Sequence, residues 1–179
     1  MNGPDRPGEV ELRWAYNVDV KPVAYIETTV ISYRTAKPSR DLIIAGHQAV
    51  TAEWWENDLP KFRAVISAVV FDEISSGDPD SAAKRLDAVK GMPLLDLTED
   101  VRSLAVRYYD AVRLPERARA DALHLALASW HGTDYLVTWN CRHIANGRVR
   151  KLVEGINDAL GIATPGICTP EELLEFQND

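Results

Sequence analysis

The sequence predicts an α/β domain, a mostly parallel central sheet with helices on both faces. Three observations lead there. Short apolar runs alternate with longer segments of helical period. Helix-capping residues stand between the apolar runs and the helical segments that follow them. The 179 residues, 46% hydrophobic and 26% charged, are enough for one domain with a sizeable core.

Residues 1–20 read as an extension ahead of a domain at 21–179. Pro4, Pro7, Gly3 and Gly8 lie in a charged stretch, and Val10, Leu12 and Trp14 then alternate with polar residues as an edge strand would. The core pattern begins with a strand at Val23 to Ile26, after which Thr28 or Thr29 caps a helix through Tyr33. Ser39 opens a second helix that turns Ile43, Ile44, His47, Val50, Thr51, Trp54 and Trp55 to one side. Ala64 to Ile66 is the next strand, followed after Ser67 by a helix carrying Glu73. Asp78 caps a helix with Pro79 at its first position and Gly91 behind it.

Leu94 to Leu97 reads as the third strand, and Thr98 starts a helix with Val101, Leu104, Ala105, Tyr108 and Val112 inward. The Ala- and Leu-rich stretch from Pro115 to His131 is a helix ended by Gly132. Tyr135 to Thr138 is the fourth strand, and Val149, Leu152, Val153, Ile156 and Leu160 mark an amphipathic helix closed by Gly161. Thr164 to Cys168 is the last strand, and Thr169-Pro170-Glu171-Glu172 reads as a capping box.

This register brings four polar residues to one edge. In a parallel sheet, ligands bind outside the carboxyl ends of the strands. Glu27 follows the first strand, Asn140 follows the fourth, and Glu73 lies about a turn and a half into the helix leaving the second. The helix of Asp121 runs back antiparallel to the fourth strand, so its first turns reach the same edge. Adjacent helix residues point about 100° apart, so Asp72 and Glu73 cannot both face that crevice; Val69, Val70 and Ile74 mark the buried side. Carboxylates gathered this way repel one another unless a divalent cation neutralises them, and oxygen donors suit Mg²⁺ or Mn²⁺. Phosphate esters are the substrates such a centre serves.

Singly, Glu27 also reads as a surface carboxylate at a strand end and Glu73 as an exposed helix acid. Asp121 stands out because Leu123, Leu125 and Leu127 surround it. His124, three residues on, shares its face and opens a zinc reading. No second His or Cys stands at ligand spacing, which favours a hydrogen-bonded core histidine.

Net charge is −7, which argues against broad affinity for nucleic acid, although Arg113, Arg117, Arg119, Arg142, His143, Arg148, Arg150 and Lys151 flank the acidic positions. Cys141 and Cys168 lack CxxC spacing and are expected as reduced thiols. No apolar run has the length of a membrane span and no signal-peptide pattern opens the chain, so no membrane association and a cytoplasmic location are expected.

The ordered segments YIETTVIS, FDEI, DALHLALA and LVTWN followed by RHI resemble those of PIN-domain ribonucleases, particularly the VapC-like toxins of toxin–antitoxin pairs, over residues 23–170. The resemblance implies a PIN-like three-layer fold and an Mg²⁺- or Mn²⁺-dependent endoribonuclease acting on RNA. It places Glu27, Glu73, Asp121 and Asn140 as catalytic metal-site residues. Thr28 and Thr138 become hydroxyl partners; Arg119, from the basic cluster, and His143, in the loop beside Arg142, are expected as substrate contacts on their own chemistry. It also implies a cognate antitoxin protein and a homodimer. Glu27 and Asn140 stand where the family usually carries Asp, which leaves open a catalytically degenerate RNA- or protein-binding module. A phosphatase of the haloacid-dehalogenase type would need a DxD pattern after the first strand, and Glu27-Thr28-Thr29 lacks it.

Overall fold

The computed structural model describes residues 21–113 and 115–174. The expected extension, residues 1–20, lies outside the described residues, as does its candidate edge strand. The described chain runs β1 (Val23–Ile26), α1 (Thr28–Thr35), α2 (Leu42–Asn57), β2 (Arg63–Ser67), α3 (Ala68–Ser75), α4 (Pro79–Ala88), β3 (Leu94–Leu95), α5 (Glu99–Val112), α6 (Arg119–Trp130), β4 (Tyr135–Val137), α7 (Gly147–Leu160) and β5 (Gly166–Cys168).

The five strands form one sheet in the order β3-β2-β1-β4-β5, every pair parallel. Each connection is therefore a crossover, and parallel crossovers are right-handed in nearly all proteins. The chain first steps from β1 outward to β3, then returns to β4 on the other side of β1 and continues to β5. Reversal of direction puts the two sets of crossover helices on opposite faces. Accordingly α1 packs on α2, α3 and α4, whereas α5 packs on α6 and α7. This is the three-layer α/β architecture expected from the alternation of elements.

The core lies between these layers. Ala24, Tyr25, Ile26, Val65, Ile66, Leu136 and Val137 from the strands are buried against Val30, Ile31, Val70, Ile74, Leu104, Tyr108, Leu125 and Val153 from the helices. Local caps act as the sequence suggests at Ser67, Asp78 and Thr98, whose side chains accept from Val70, Ser81 and Val101 amides. Gly161 closes α7 at φ +67, in the left-handed region that suits glycine. The capping box is also present, with reciprocal bonds between Thr169 and Glu172, but it starts a 3₁₀ turn at Glu171–Leu173.

Several elements differ from expectation: α6 begins at Arg119, after a 3₁₀ turn at Glu116–Ala118, rather than at Pro115, and β5 begins at Gly166 rather than Thr164. Helix α2 starts at Leu42 with Asp41 as its cap, and Ile43 and Ile44 are 72% and 36% exposed. Only its C-terminal half, with Thr51 and Trp54, is buried, because amphipathic period does not reveal how far a helix overhangs its sheet. Strand β3 shortens to two residues, as it pairs with β2 alone at the sheet edge. Among the described residues no helix is long and apolar enough to cross a membrane.

Both cysteines are free thiols; Cys141 is exposed and Cys168 is buried on β5. Burial, with the Glu172 carboxylate nearby, pushes the Cys168 thiol up to about 12. A raised thiol pKa means the unreactive protonated form dominates at mild alkaline pH. A disulfide reagent at about pH 8 is therefore expected to titrate Cys141 alone in the native chain and both thiols in guanidinium. Rapid native reaction of both would contradict the packing of β5.

Candidate metal centre

Strand order determines where a site can form. The chain reverses direction between β1 and β4, and at such a switch point the loops leaving two neighbouring strands diverge to opposite faces and open a crevice. Glu27 leaves β1 there, and Thr138-Trp139-Asn140 leaves β4. The two loops are joined by hydrogen bonds. The Glu27 amide donates to the Val137 carbonyl at 3.0 Å, the Thr138 hydroxyl to Glu27 Oε2 at 2.7 Å, and the Trp139 amide to Thr29 Oγ1 at 2.9 Å.

Glu27 is only 4% exposed and is itself the N-cap of α1, accepting from the Thr29 amide at 3.0 Å and from the Thr29 hydroxyl. These bonds and that from Thr138 all fall on Oε2, which leaves Oε1 for a ligand. The cap is thus Glu27 rather than Thr28 or Thr29, and the hydroxyl that binds the Glu27 carboxylate beside Thr138 is Thr29. Thr28 instead donates to Glu73 Oε2. That bond, and the exposure of Asp72, place Glu73 on the crevice side of α3, as expected.

The third member of the cluster is His124. Its ring is 1% exposed, Nε2 lies 3.3 Å from Glu73 Oε2, and Nδ1 lies 2.8 Å from the Tyr25 hydroxyl. Tyr25 in turn shares a 2.8 Å hydrogen bond with Ser67, whose oxygen also accepts from the Val70 amide. Ligand atoms of Glu27, Glu73 and His124 all lie within 4.8 Å of one another. Burial opposes a charge on His124, but the Glu73 hydrogen bond and the charges of Glu27, Glu73 and Asp121 outweigh it and raise its pKa. For Glu73, burial raises the pKa, yet the His124 and Thr28 hydrogen bonds and the His124 charge bring it below the ordinary carboxylate value.

Asp121 and Asn140 meet one another beside this cluster. Asn140 Nδ2 donates to Asp121 Oδ1 at 2.9 Å, His143 Nδ1 lies 2.9 Å from Asp121 Oδ2, and the His143 amide donates to Asn140 Oδ1 at 3.0 Å. The three residues close a ring, with the His143 backbone amide as one link. Burial dominates at Asp121 and raises its pKa despite the His143 hydrogen bond and the nearby His124 and His143 charges. Among the described residues Asp121 stands outside the group of three donors. The expected foursome is therefore divided: Glu27 and Glu73 share His124, while Asp121 and Asn140 share His143. Arg119, expected near substrate, is held by Glu116 at 3.0 Å and lies 5.1 Å over the Tyr109 ring.

Sequence reasoning did not assign Tyr25, Ser67 or Thr29 to the site and read His124 as a core residue. The available signals were a polar His amid Ala and Leu in α6 and the hydroxyl residues at the ends of β1 and β2. The donor set fits a divalent cation: two carboxylates and one imidazole converge from β1, α3 and α6, and each is fixed by a neighbouring hydroxyl.

No family model matches the chain, and no curated protein or solved structure matches it.

Proposed function

We propose that this chain is a divalent-metal-dependent endoribonuclease that hydrolyses RNA phosphodiester bonds, the toxin of a type II toxin–antitoxin pair resembling VapC within the PIN-domain family. The observation that carries the reading is the convergence of Glu27 and Glu73 on His124 at the switch point between β1 and β4, with the Asp121–Asn140 pair beside them. The resemblance contributes RNA as substrate and a cognate antitoxin and homodimer as partners; a cytoplasmic location belongs to the same proposal.

In this reading Glu27 and Glu73 hold Mg²⁺ or Mn²⁺, with Asp121 completing the negative charge around it. An ion held there would supply an activated water and neutralise charge on the leaving oxygen. Thr138 and Thr29 hold the Glu27 carboxylate in one orientation, and Thr28 does the same for Glu73. Asn140 and His143 orient Asp121. Arg142 and Arg148, exposed near Asn140 in the chain, suit contacts to RNA phosphates.

A second reading is favoured by one feature. The Asp121–Asn140–His143 ring and the Glu73–His124 pair satisfy these groups without an ion, as expected of a catalytically degenerate RNA- or protein-binding module. Incubating the full chain with labelled single-stranded RNA in Mg²⁺, in Mn²⁺ and in chelator separates the two. The nuclease reading expects metal-dependent cleavage leaving a 5′-phosphate. RNA retained intact in every condition supports the binding module.

A further inference from the structure

We infer that His124 Nε2 is a direct ligand of the metal, so that the centre is a mixed nitrogen–oxygen site selecting a first-row divalent ion such as Mn²⁺ over Mg²⁺. The inference rests on the metal reading above and deepens it. It starts from three distances. Two ligands at right angles around one ion, each about 2.1 Å from it, stand roughly 3.0 Å apart, and opposite ligands roughly 4.2 Å apart. His124 Nε2 and Glu73 Oε2 are 3.3 Å apart, and the Glu27 donor lies within 4.8 Å of both. Shifts of a few tenths of an ångström bring all three onto one ion.

The surroundings of the ring point the same way. A metal-ligating histidine is normally held by a hydrogen bond at its other ring nitrogen, which determines the tautomer and aims the free nitrogen. Here Nδ1 is bound to the Tyr25 hydroxyl, and Tyr25 is bound to Ser67. In the metal-free chain Nε2 donates to Glu73; with Nδ1–H donating to Tyr25 and the Tyr25 hydroxyl donating to Ser67 Oγ, an ion that displaces the Nε2 proton meets a lone pair aimed beside Glu73. Tyr25 and Ser67 stand on the neighbouring strands β1 and β2, Ser67 two residues beyond Val65, the register partner of Tyr25, so the ring is anchored to the central sheet. His124 and Glu27 are buried at the floor, while Glu73 is 34% exposed, which leaves an approach on its side.

Imidazole changes the selectivity. Mg²⁺ takes oxygen ligands and keeps much of its water, whereas first-row transition ions accept imidazole readily. A site of two carboxylates and a buried imidazole therefore discriminates against Mg²⁺ by more than carboxylates do alone.

The test is calorimetric titration of the full chain with MnCl₂ and with MgCl₂, joined to electron spin-echo spectroscopy of the Mn²⁺ complex. Wild type is expected to prefer Mn²⁺ and to show nitrogen hyperfine modulation from a coordinated imidazole. His124→Gln is expected to lose the modulation and most of the Mn²⁺ preference, while His143→Gln retains the modulation. Tyr25→Phe is expected to keep the nitrogen signal and weaken Mn²⁺ binding roughly 10–100-fold. The wild-type spectrum decides the question even if His124→Gln fails to fold. Mn²⁺ bound without nitrogen modulation overturns this inference and leaves the nuclease reading standing. Mn²⁺ bound with modulation but without RNA cleavage supports the ligand and overturns the nuclease. Absence of any Mn²⁺ binding overturns both.

Discussion

Asp121→Asn is expected to lower metal-dependent RNA cleavage by about 10²-fold while leaving the chain folded, with a melting temperature in chelator equal to or above that of wild type. Asparagine nearly matches aspartate in shape. Its carbonyl can still accept from Asn140 Nδ2, and its amide can donate to a neutral His143 Nδ1, so the ring that closes beside the metal cluster survives. What disappears is a half-buried negative charge. Burial raises the pKa of Asp121 in the folded chain, so it holds its proton to higher pH there than when unfolded. The sign follows from linkage: ionisation costs folded-state stability as pH rises through the window between the unfolded and folded pKa values, and asparagine is exempt. The melting-temperature difference between variant and wild type should thus be greater near pH 7 than near pH 4. Equal cleavage by wild type and variant would remove Asp121 from the proposed centre.

The second large effect concerns Glu27, where stability and chemistry separate. Glu27→Ala strips the acceptor from the Thr138 hydroxyl and from the Thr29 amide and hydroxyl, and removes the cap of α1. Losing such a cap and leaving buried donors without a partner costs about 2–3 kcal/mol after relief of charge repulsion. In a chain of this size that lowers the melting temperature by roughly 4–12 °C. Glu27→Gln keeps an oxygen at the same reach, so it should melt much nearer to wild type yet lose Mn²⁺ binding in calorimetry. Glu27→Asp shortens the reach by one methylene and should lower activity, because Thr138 lies across the crevice on β4's side. If instead it creates cleavage in an otherwise inert chain, the binding-module reading gains. An alanine variant that melts with wild type would refute the linkage of the two loops through this carboxylate.

Whatever depends on local period and short-range chemistry was legible in the chain before any packing was known. Four-residue apolar β1 and the alternation of strands with helices specify a covered parallel sheet, since burying both faces is the way such runs leave water. Ser67, Asp78 and Thr98 declare helix starts because a cap bonds only to amides two or three residues ahead. Strand ends likewise brought Glu27 and Asn140 to one edge, and helix geometry left room there for one of Asp72 and Glu73, of which the resemblance selects Glu73. Tertiary structure decided which of these polar groups share an atom-to-atom contact. Whether Glu73 meets Asp121 or His124 depends on the rotation of α6 against α3, and residues 121 and 124 of one helix face differ by less than a turn. The overhang of α2 was hidden for the same reason, since Ile43 repeats in phase with Thr51 and Trp54 whether or not a sheet lies beneath it. A period states which side chains point together; only packing states what they point at, and metal chemistry turns on that last few ångströms.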